Sequence, residues 1–125
     1  MKLNYWIAII IGLIVMFGLL SLAYSAEVWT DLQIVEAIWK AEGGYKATWL
    51  YGIRSVSYAN EAEARQICFN TVRNNRVRYA EYGYKEFNSY LDFLGSRYCP
   101  IGCDNDRGTN RYWLSNVRYF LEKSK

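Results

Sequence analysis

The sequence predicts a mainly α-helical protein with a single compact domain. Apolar residues recur at helical spacing in four segments between residues 30 and 121. Thr, Asn, Gly or Pro residues stand at the borders of these segments, where helices usually begin or end. Residues 45–58 instead combine aromatic and β-branched residues without a helical pattern. We therefore expect a helical domain with one short irregular or β segment, preceded by an N-terminal hydrophobic helix.

The N-terminal segment has the pattern of a secretory signal peptide. Lys2 precedes an apolar run from Tyr5 to Leu20. Ala23 and Ser25 are small residues at the −3 and −1 positions of a cleavage site after Ser25. We therefore expect residues 1–25 to direct export of the chain.

An uncleaved membrane anchor is the alternative for the same segment. Tyr5–Tyr24 holds 20 residues without a formal charge, which is long enough to span a bilayer. Either way, we expect residues 26–125 to be one domain outside the cytoplasm. Its location would be periplasmic, extracellular, or anchored to the outer side of the inner membrane.

The composition excludes several classes of function. The net charge is only +3 and no block of Lys and Arg is present, which argues against a nucleic-acid partner. Histidine is absent, which excludes a Cys–His pair, a Ser–His–Asp triad and a zinc site that uses histidine. We expect no cofactor, and we expect the domain to act as a monomer.

The three cysteines, Cys68, Cys99 and Cys103, permit one disulfide in an exported protein. One thiol is then left over. The sequence leaves open a Cys99–Cys103 bridge and a bridge from Cys68 to either of the others.

The polar loop at residues 104–110 resembles a calcium-binding loop but departs from it in detail. An EF-hand needs Asp or Asn where Gly108 stands, Gly where Thr109 stands, and Glu where Ser115 stands. We therefore expect no metal and a capped surface loop.

The first helix of the domain is predicted to begin at Thr30. Thr30 is a suitable N-cap, and Gln33 completes a capping box. Gly43 or Gly44 can adopt the left-handed conformation that ends a helix. The apolar stripe of this helix contains Val35, Ile38, Trp39 and Glu42.

Glu42 therefore places a carboxyl group where the fold favours an apolar side chain. Desolvation disfavours the charged form and raises the pKa of such a group. A carboxylic acid that keeps its proton near neutral pH suits general-acid cleavage of a glycosidic bond. The alternative is a half-exposed Glu whose stem only covers apolar surface.

Three further helices are predicted after residue 58. The second helix is capped by Asn60 with Glu63 and runs to about Tyr79. Its inner stripe consists of Ala64, Ile67, Cys68, Thr71, Val72 and Asn75.

The third helix is predicted to start near Lys85 or Asn88 and to end before Pro100. The last helix is predicted to be capped by Thr109 or Asn110. We expect core residues on these two helices, namely Phe87, Tyr90, Leu91, Leu94, Tyr98, Trp113, Val117, Phe120 and Leu121.

Four local features occur in a characteristic order. They are Glu42-Gly43, Tyr51-Gly52-Ile53-Arg54-Ser55, Tyr98-Cys99-Pro100, and Asn110-x-x-Trp113-x-x-Asn116-Val117. In this order they resemble the lysozyme-like superfamily, which includes soluble lytic transglycosylases, goose-type lysozymes and small bacterial or phage muramidases. The resemblance implies a compact lysozyme-like helical domain.

The resemblance also implies roles for individual residues. A Glu that closes the first helix is the catalytic acid in that superfamily, and Glu42 matches it. A Gly-containing loop lines the sugar cleft, and Gly52-Ile53 is similar to it. Tyr98 is similar to a tyrosine that faces the catalytic Glu. We expect substrate-binding residues at Trp49, Tyr51, Gly52, Ile53, Ser55 and Tyr98.

The implied substrate is the glycan strand of peptidoglycan. Lytic transglycosylases usually carry Glu-Ser and a Gly-Leu-Met-Gln loop, whereas this chain has Glu42-Gly43 and Gly52-Ile53-Arg54-Ser55. A two-carboxylate hydrolase needs a second acid roughly 5 to 10 Å from the first. Residues 43–60 contain no Asp or Glu. We therefore expect a single-Glu transglycosylase mechanism.

Three alternatives remain open from the sequence. The first is a hydrolytic muramidase, with a second carboxylate supplied by another segment. The second is an exported glycan-binding or scaffolding module without turnover. The third is a small membrane-anchored adaptor, which an uncleaved N-terminal helix would favour.

Overall fold

Five α-helices account for most of the described chain. The computed structural model describes the backbone of residues 2–23 and 28–125, and the side chains of residues 4–16 and 28–125. The helices are α1 Lys2–Ala23, α2 Asp31–Ala41, α3 Glu61–Glu81, α4 Tyr90–Tyr98 and α5 Trp113–Lys123. The described residues contain no strand. The predicted mainly α class is therefore confirmed.

The N-terminal segment forms α1, as the apolar run predicts. Its described side chains, from residue 4 to residue 16, are exposed. The predicted cleavage position after Ser25 lies outside the described residues. Within the described part of the chain, no helix combines the length and the apolar character that a membrane span requires.

Local side-chain caps define α2. The Gln33 backbone N–H donates to Thr30 Oγ1 at 3.2 Å, and the Thr30 backbone N–H donates to Gln33 Oε1 at 2.9 Å. The predicted capping box is therefore present. Glu42 is the C-cap residue, and Gly43 follows with φ 101°. A left-handed residue at this position ends the helix and turns the chain back toward the domain.

Residues 45–58 do not form a strand. Two short 3₁₀ turns occupy Gly44–Lys46 and Leu50–Gly52. Tyr51 and Gly52 both have positive φ, 56° and 69°. Such angles are incompatible with an extended strand, so the β alternative for this segment is wrong and the irregular one is right.

The core lies where α2 packs between α3 and α5, with α4 covering α3 and α5. Its fully buried side chains include Ile34, Val35, Ile38, Cys68, Val72, Leu94, Val117 and Leu121. Asn75 is also buried, as the stripe on α3 predicts. Its amide donates to the Thr71 carbonyl and accepts a hydrogen bond from Arg97 Nε, so its polar atoms are satisfied.

Three predicted helix boundaries are corrected. α3 continues to Glu81, two residues beyond the predicted end. α4 begins at Tyr90 because Ser89 Oγ accepts the Asp92 N–H at 3.1 Å, whereas Lys85 belongs to a separate 3₁₀ turn. α5 begins at Trp113 without a side-chain cap.

Thr109 and Asn110 do not cap α5. Asn110 opens a 3₁₀ turn, Asn110–Tyr112, that leads directly into the helix. The Asn110 N–H donates to Asp106 Oδ1 at 3.1 Å. The carboxylate of Asp106 thus orders this connection in place of a helix cap.

Candidate active site

The carboxyl group of Glu42 lies where the end of α2, the Leu50–Gly52 turn and the start of α5 meet. Trp113 Nε1 donates a hydrogen bond to Glu42 Oε1 at 2.8 Å. Trp113 itself is only 6% exposed, so this donor is fixed within the core. The contact joins two residues that are 71 positions apart in the chain. It holds the carboxyl in one orientation at the edge of the domain.

Gly52 permits the closest approach to this carboxyl. A Cβ added to Gly52 would lie 2.7 Å from Glu42 Cδ and 2.8 and 2.9 Å from the two carboxyl oxygens. Any other residue would displace the Glu42 side chain. Gly52 also has φ +69°, a conformation that side chains other than glycine rarely adopt. Both the lack of space for a Cβ and the positive φ therefore require glycine at position 52.

The surroundings of Glu42 raise the pKa of its carboxyl above the ordinary value. Burial is the largest cause, because it removes water from the charged form. The hydrogen bond from Trp113 and the positive charge of Arg54 both act in the opposite direction and lower it. Burial prevails, so the carboxyl keeps its proton to a higher pH than an exposed Glu. That property is the one required of a general acid.

Tyr98 packs against Trp113 and so stabilises the position of the Glu42 carboxyl. Its ring stacks on Trp113, with ring centroids 5.1 Å apart and an interplanar angle of 23°. Its hydroxyl donates to the Tyr51 carbonyl oxygen and, at 3.6 Å, to Cys68 Sγ. Tyr98 therefore connects α3, α4 and the Leu50–Gly52 turn, and it fixes the indole that holds Glu42.

A cavity of about 520 Å³ opens next to Glu42. Residues from the end of α2, the 47–55 segment, the 98–110 segment and α5 line it. Glu42 is the only acidic residue among the described residues of the lining, and Arg54 and Arg107 are its two basic ones. The neutral polar lining consists of Thr48, Ser55, Asn105, Thr109, Asn110 and Asn116. A single acid, two guanidinium groups and several amides therefore face one cavity of ligand size.

The 102–110 loop forms one wall of the cavity. The Asp106 carboxylate accepts hydrogen bonds from the backbone N–H groups of Gly102, Gly108 and Asn110, at 2.8, 2.8 and 3.1 Å. These donors lower the pKa of Asp106, because they stabilise its charged form. The side chain of Asp106 thus organises the loop and is not part of the cavity lining.

Most of the predicted site residues come together. Glu42, Trp49, Gly52, Ser55 and Tyr98 all line the cavity. Tyr51 and Ile53 do not, and this corrects their predicted contact with substrate. Their side chains are 1% and 9% exposed and belong to the core. The positive φ of Tyr51 turns its ring inward, where it lies 4.8 Å from the ring of Trp39.

The predicted site residues did not include several residues that line this cavity, among them Arg54, Trp113 and Arg107. Trp113 was expected only in the core, and Arg107 only in a surface loop. A signal for Trp113 was present, since a buried indole N–H usually finds an acceptor and Glu42 is the acid on an apolar stripe. Nothing local to the sequence indicated Arg107, whose position depends on how the 102–110 loop folds over the cavity.

The three cysteines are all free thiols in this structure. Cys68 is buried, while Cys99 and Cys103 line the cavity. Burial raises the pKa of Cys68 to about 12 and that of Cys99 to about 11. These two thiols stay protonated at neutral pH, so neither is an activated nucleophile. Within the described residues, no group of three His, Cys, Asp or Glu side chains is arranged to hold a metal.

Comparison of the chain with protein-family models, with curated proteins and with solved structures finds no match. Function is therefore inferred from the geometry and electrostatics of the site.

Proposed function

We propose that this protein cleaves the β-1,4 glycosidic bond between N-acetylmuramic acid and N-acetylglucosamine in peptidoglycan, with Glu42 as its single catalytic carboxyl. The observation that carries the proposal is the state of Glu42. It is a partly buried carboxyl with a raised pKa, held by Trp113 and Gly52 at the edge of a cavity that has no other acid in its described lining. The lysozyme-like character of the helical domain belongs to the same proposal.

The hydrogen bond from Trp113 determines which oxygen acts. Glu42 Oε1 accepts the indole N–H, which leaves Oε2 as the oxygen that would carry the proton of the neutral acid. Oε2 would donate this proton to the glycosidic oxygen as the bond breaks. The N-acetyl group of the substrate would stabilise the oxocarbenium-like centre, as in substrate-assisted glycosidases. Glu42, now ionised, would then accept a proton from the 6-hydroxyl of the same sugar, which closes a 1,6-anhydro ring.

The lining of the cavity favours this course over hydrolysis. Hydrolysis with two carboxylates needs a second carboxyl group about 5 to 10 Å from the first. No second acid is found in the described cavity wall, and the neighbouring Asp106 is held by backbone donors outside it. The described lining therefore supplies no second acid of the kind that the muramidase alternative needs, which supports the single-carboxyl course.

Export and membrane attachment are part of the proposal. A peptidoglycan substrate requires the 26–125 domain outside the cytoplasm, either secreted or held at the outer side of the inner membrane by residues 1–25. Its partner would be the glycan strand, bound by one copy of the chain without a cofactor.

The test is digestion of purified peptidoglycan by the full chain, with the products identified by mass spectrometry. Wild type is expected to release anhydromuropeptides. Glu42→Gln keeps the shape and the acceptor for Trp113 but loses the acidic proton, so we expect a rate loss of about 1,000-fold. Glu81→Gln is the matched control, because Glu81 is an exposed residue at the end of α3.

Each other outcome has a defined meaning. Products with added water at the reducing end would establish a muramidase and refute the transglycosylase course. Equal activity of wild type and Glu42→Gln would remove Glu42 as the acid. If wild type is inactive but still binds glycan strands, the proposed catalysis is refuted and the binding-module alternative is supported.

A further inference from the structure

The cavity has an excess of positive charge. Arg54 follows the Leu50–Gly52 turn, and Arg107 belongs to the 102–110 loop, so two separate segments each supply one guanidinium. While Glu42 holds its proton, no described side chain of the lining carries a negative charge. The lining then has two positive charges and a set of neutral hydrogen-bonding groups.

Neither guanidinium forms an ion pair with another described side chain. Arg65, Arg76 and Arg118 form ion pairs with Glu36, Asp31 and Asp92. Arg54 and Arg107 are exposed, and neither makes a hydrogen bond or ion pair with another described residue. These two arginines line the cavity and have no ion pair among the described residues. This arrangement is suited to an anionic ligand.

We propose that Arg54 and Arg107 form a carboxylate-binding subsite beside Glu42, through which the protein selects acidic glycan strands over neutral N-acetylated glycans. The planar guanidinium presents paired N–H donors that match the two oxygens of a carboxylate. The inference rests on the proposed function for the identity of the glycan. It adds to that function a requirement for a negative charge on the ligand.

Two parts of a peptidoglycan strand carry carboxylates. The peptide stem carries them along its length, and the lactyl group of the muramic sugar carries one when the peptide has been removed. Chitin oligosaccharides have the same N-acetylated backbone without any carboxylate. Three soluble ligands therefore separate the sources: peptide-bearing strands, strands freed of peptide, and chitin oligosaccharides.

Binding of these three ligands is measured by calorimetry with the full chain in a Glu42→Gln background, so that strands are not cleaved. Arg54→Gln and Arg107→Gln are each expected to weaken binding of acidic strands about five- to tenfold. Neither change should alter binding of chitin oligosaccharides. Arg73→Gln is the control, because it removes the same charge from an exposed position on α3.

Salt provides a second measurement. Raising the ionic strength should weaken binding of acidic strands by the parent chain more than binding by either arginine variant, because the variants have lost part of the attraction. Loss of binding only for peptide-bearing strands would assign the subsite to the stem. Loss of binding only for strands freed of peptide would assign the subsite to the lactyl carboxylate. Loss for both acidic ligands would show that the two arginines accept a carboxylate from either source.

Three results would overturn the subsite. They are unchanged binding of acidic strands by both arginine variants, equal weakening for chitin oligosaccharides, and absence of any binding of acidic strands by the parent chain. Failure of the proposed cleavage is separate, because it appears as equal digestion by wild type and Glu42→Gln. In that case selective binding of acidic strands would still support the subsite.

Discussion

Two carboxyl groups near the cavity, Glu42 at the end of α2 and Asp106 in the 102–110 loop, have pKa values shifted in opposite directions. Burial raises the pKa of Glu42, and one indole N–H only partly offsets it. Backbone N–H groups of the loop lower the pKa of Asp106. The same functional group is thus shifted toward its protonated form in one place and toward its charged form in the other. The number of donors relative to burial decides between the two states.

The glycines near the two carboxyl groups, Gly52 and Gly108, differ in the space around them. Gly52 and Gly108 both have positive φ, +69° and +86°. A Cβ at Gly52 would collide with the Glu42 carboxyl, whereas a Cβ at Gly108 would meet nothing within 4 Å. Gly108 is needed only for the turn, and Gly52 also for the position of the acid. Substituting Gly52 and Gly108 in turn therefore gives the strongest test of the difference between the two carboxyl groups.

Gly52→Ala is expected to have the largest effect after loss of Glu42 itself. The added methyl group displaces the carboxyl, and a displacement of about 1 Å costs roughly 100-fold in rate. Gly108→Ala should retain most of the activity. Both variants should lose about 1–2 kcal/mol of unfolding free energy, because both place alanine in the left-handed region. Peptidoglycan digestion and thermal unfolding measure the two effects.

Equal rates for Gly52→Ala and Gly108→Ala would contradict the structure. The close contact between Gly52 and Glu42 would then have no role in catalysis, and only the shared backbone effect would remain.

Trp113→Phe removes the hydrogen bond from the indole N–H to Glu42, the one side-chain hydrogen bond that affects the pKa of Glu42 among the described residues. The activity is expected to fall about tenfold, since one hydrogen bond to a charged group contributes about 1.5–3 kcal/mol. That hydrogen bond stabilises the ionised carboxylate, so its loss raises the pKa further. In the proposed mechanism the active form is the protonated acid, so the basic limb of the pH–rate profile should move to higher pH.

Tyr98→Phe is the control for Trp113→Phe. It removes the hydroxyl that bonds the Tyr51 carbonyl but keeps the ring that stacks on Trp113. We expect lower stability, by about 1–3 kcal/mol for the unsatisfied carbonyl, and no shift of the basic limb. A shift of the limb in Tyr98→Phe, or none in Trp113→Phe, would show that the indole N–H does not tune Glu42.

The smallest expected effect is on stability against pH. The folded pKa of Glu42 is raised, so its contribution is fully present below the unfolded value of 4.5 and is lost as pH rises through the folded value. Gln does not ionise, so Glu42→Gln does not lose this stability as pH rises. The variant should therefore gain stability relative to wild type as pH rises above 4.5, measured as the difference in Tm between the two proteins at each pH.

Asp106→Asn should show the opposite dependence. The folded pKa of Asp106 is lowered, so its stabilisation is present above the unfolded value of 3.8 and is lost as pH falls through the folded value. Wild type should exceed the variant in Tm at neutral pH, and the two should converge in acid. If Tm depended on pH in the same way for Glu42→Gln and Asp106→Asn, the two carboxyl groups would not have pKa values shifted in opposite directions.

The features that local sequence determines were predicted well. The capping box of α2 joins residues three positions apart, and the cap of α3 does the same with Asn60 and Glu63. Hydrogen bonds of this range form wherever the helix forms, so the pattern suffices to predict them. The apolar stripe that includes Glu42 follows from the same helical period. The start of α4 differs from the prediction because Ser89 accepts the Asp92 N–H as the N-cap. The start of α5 differs because Asn110 opens a 3₁₀ turn and donates its N–H to Asp106.

The sequence by itself therefore determined the helical class, the ends of α2 and the presence of an acid on an apolar face. Only the tertiary structure decided the orientation, the burial and the direction of the pKa shift of that carboxyl group. Packing of α5 against α2 brings Trp113 to Glu42 across 71 residues, and the turn at Gly52 closes over the carboxyl. The same packing turns Tyr51 into the core and leaves Arg54 and Arg107 in the cavity. Such contacts depend on how whole elements meet, and no local pattern of residues specifies that meeting.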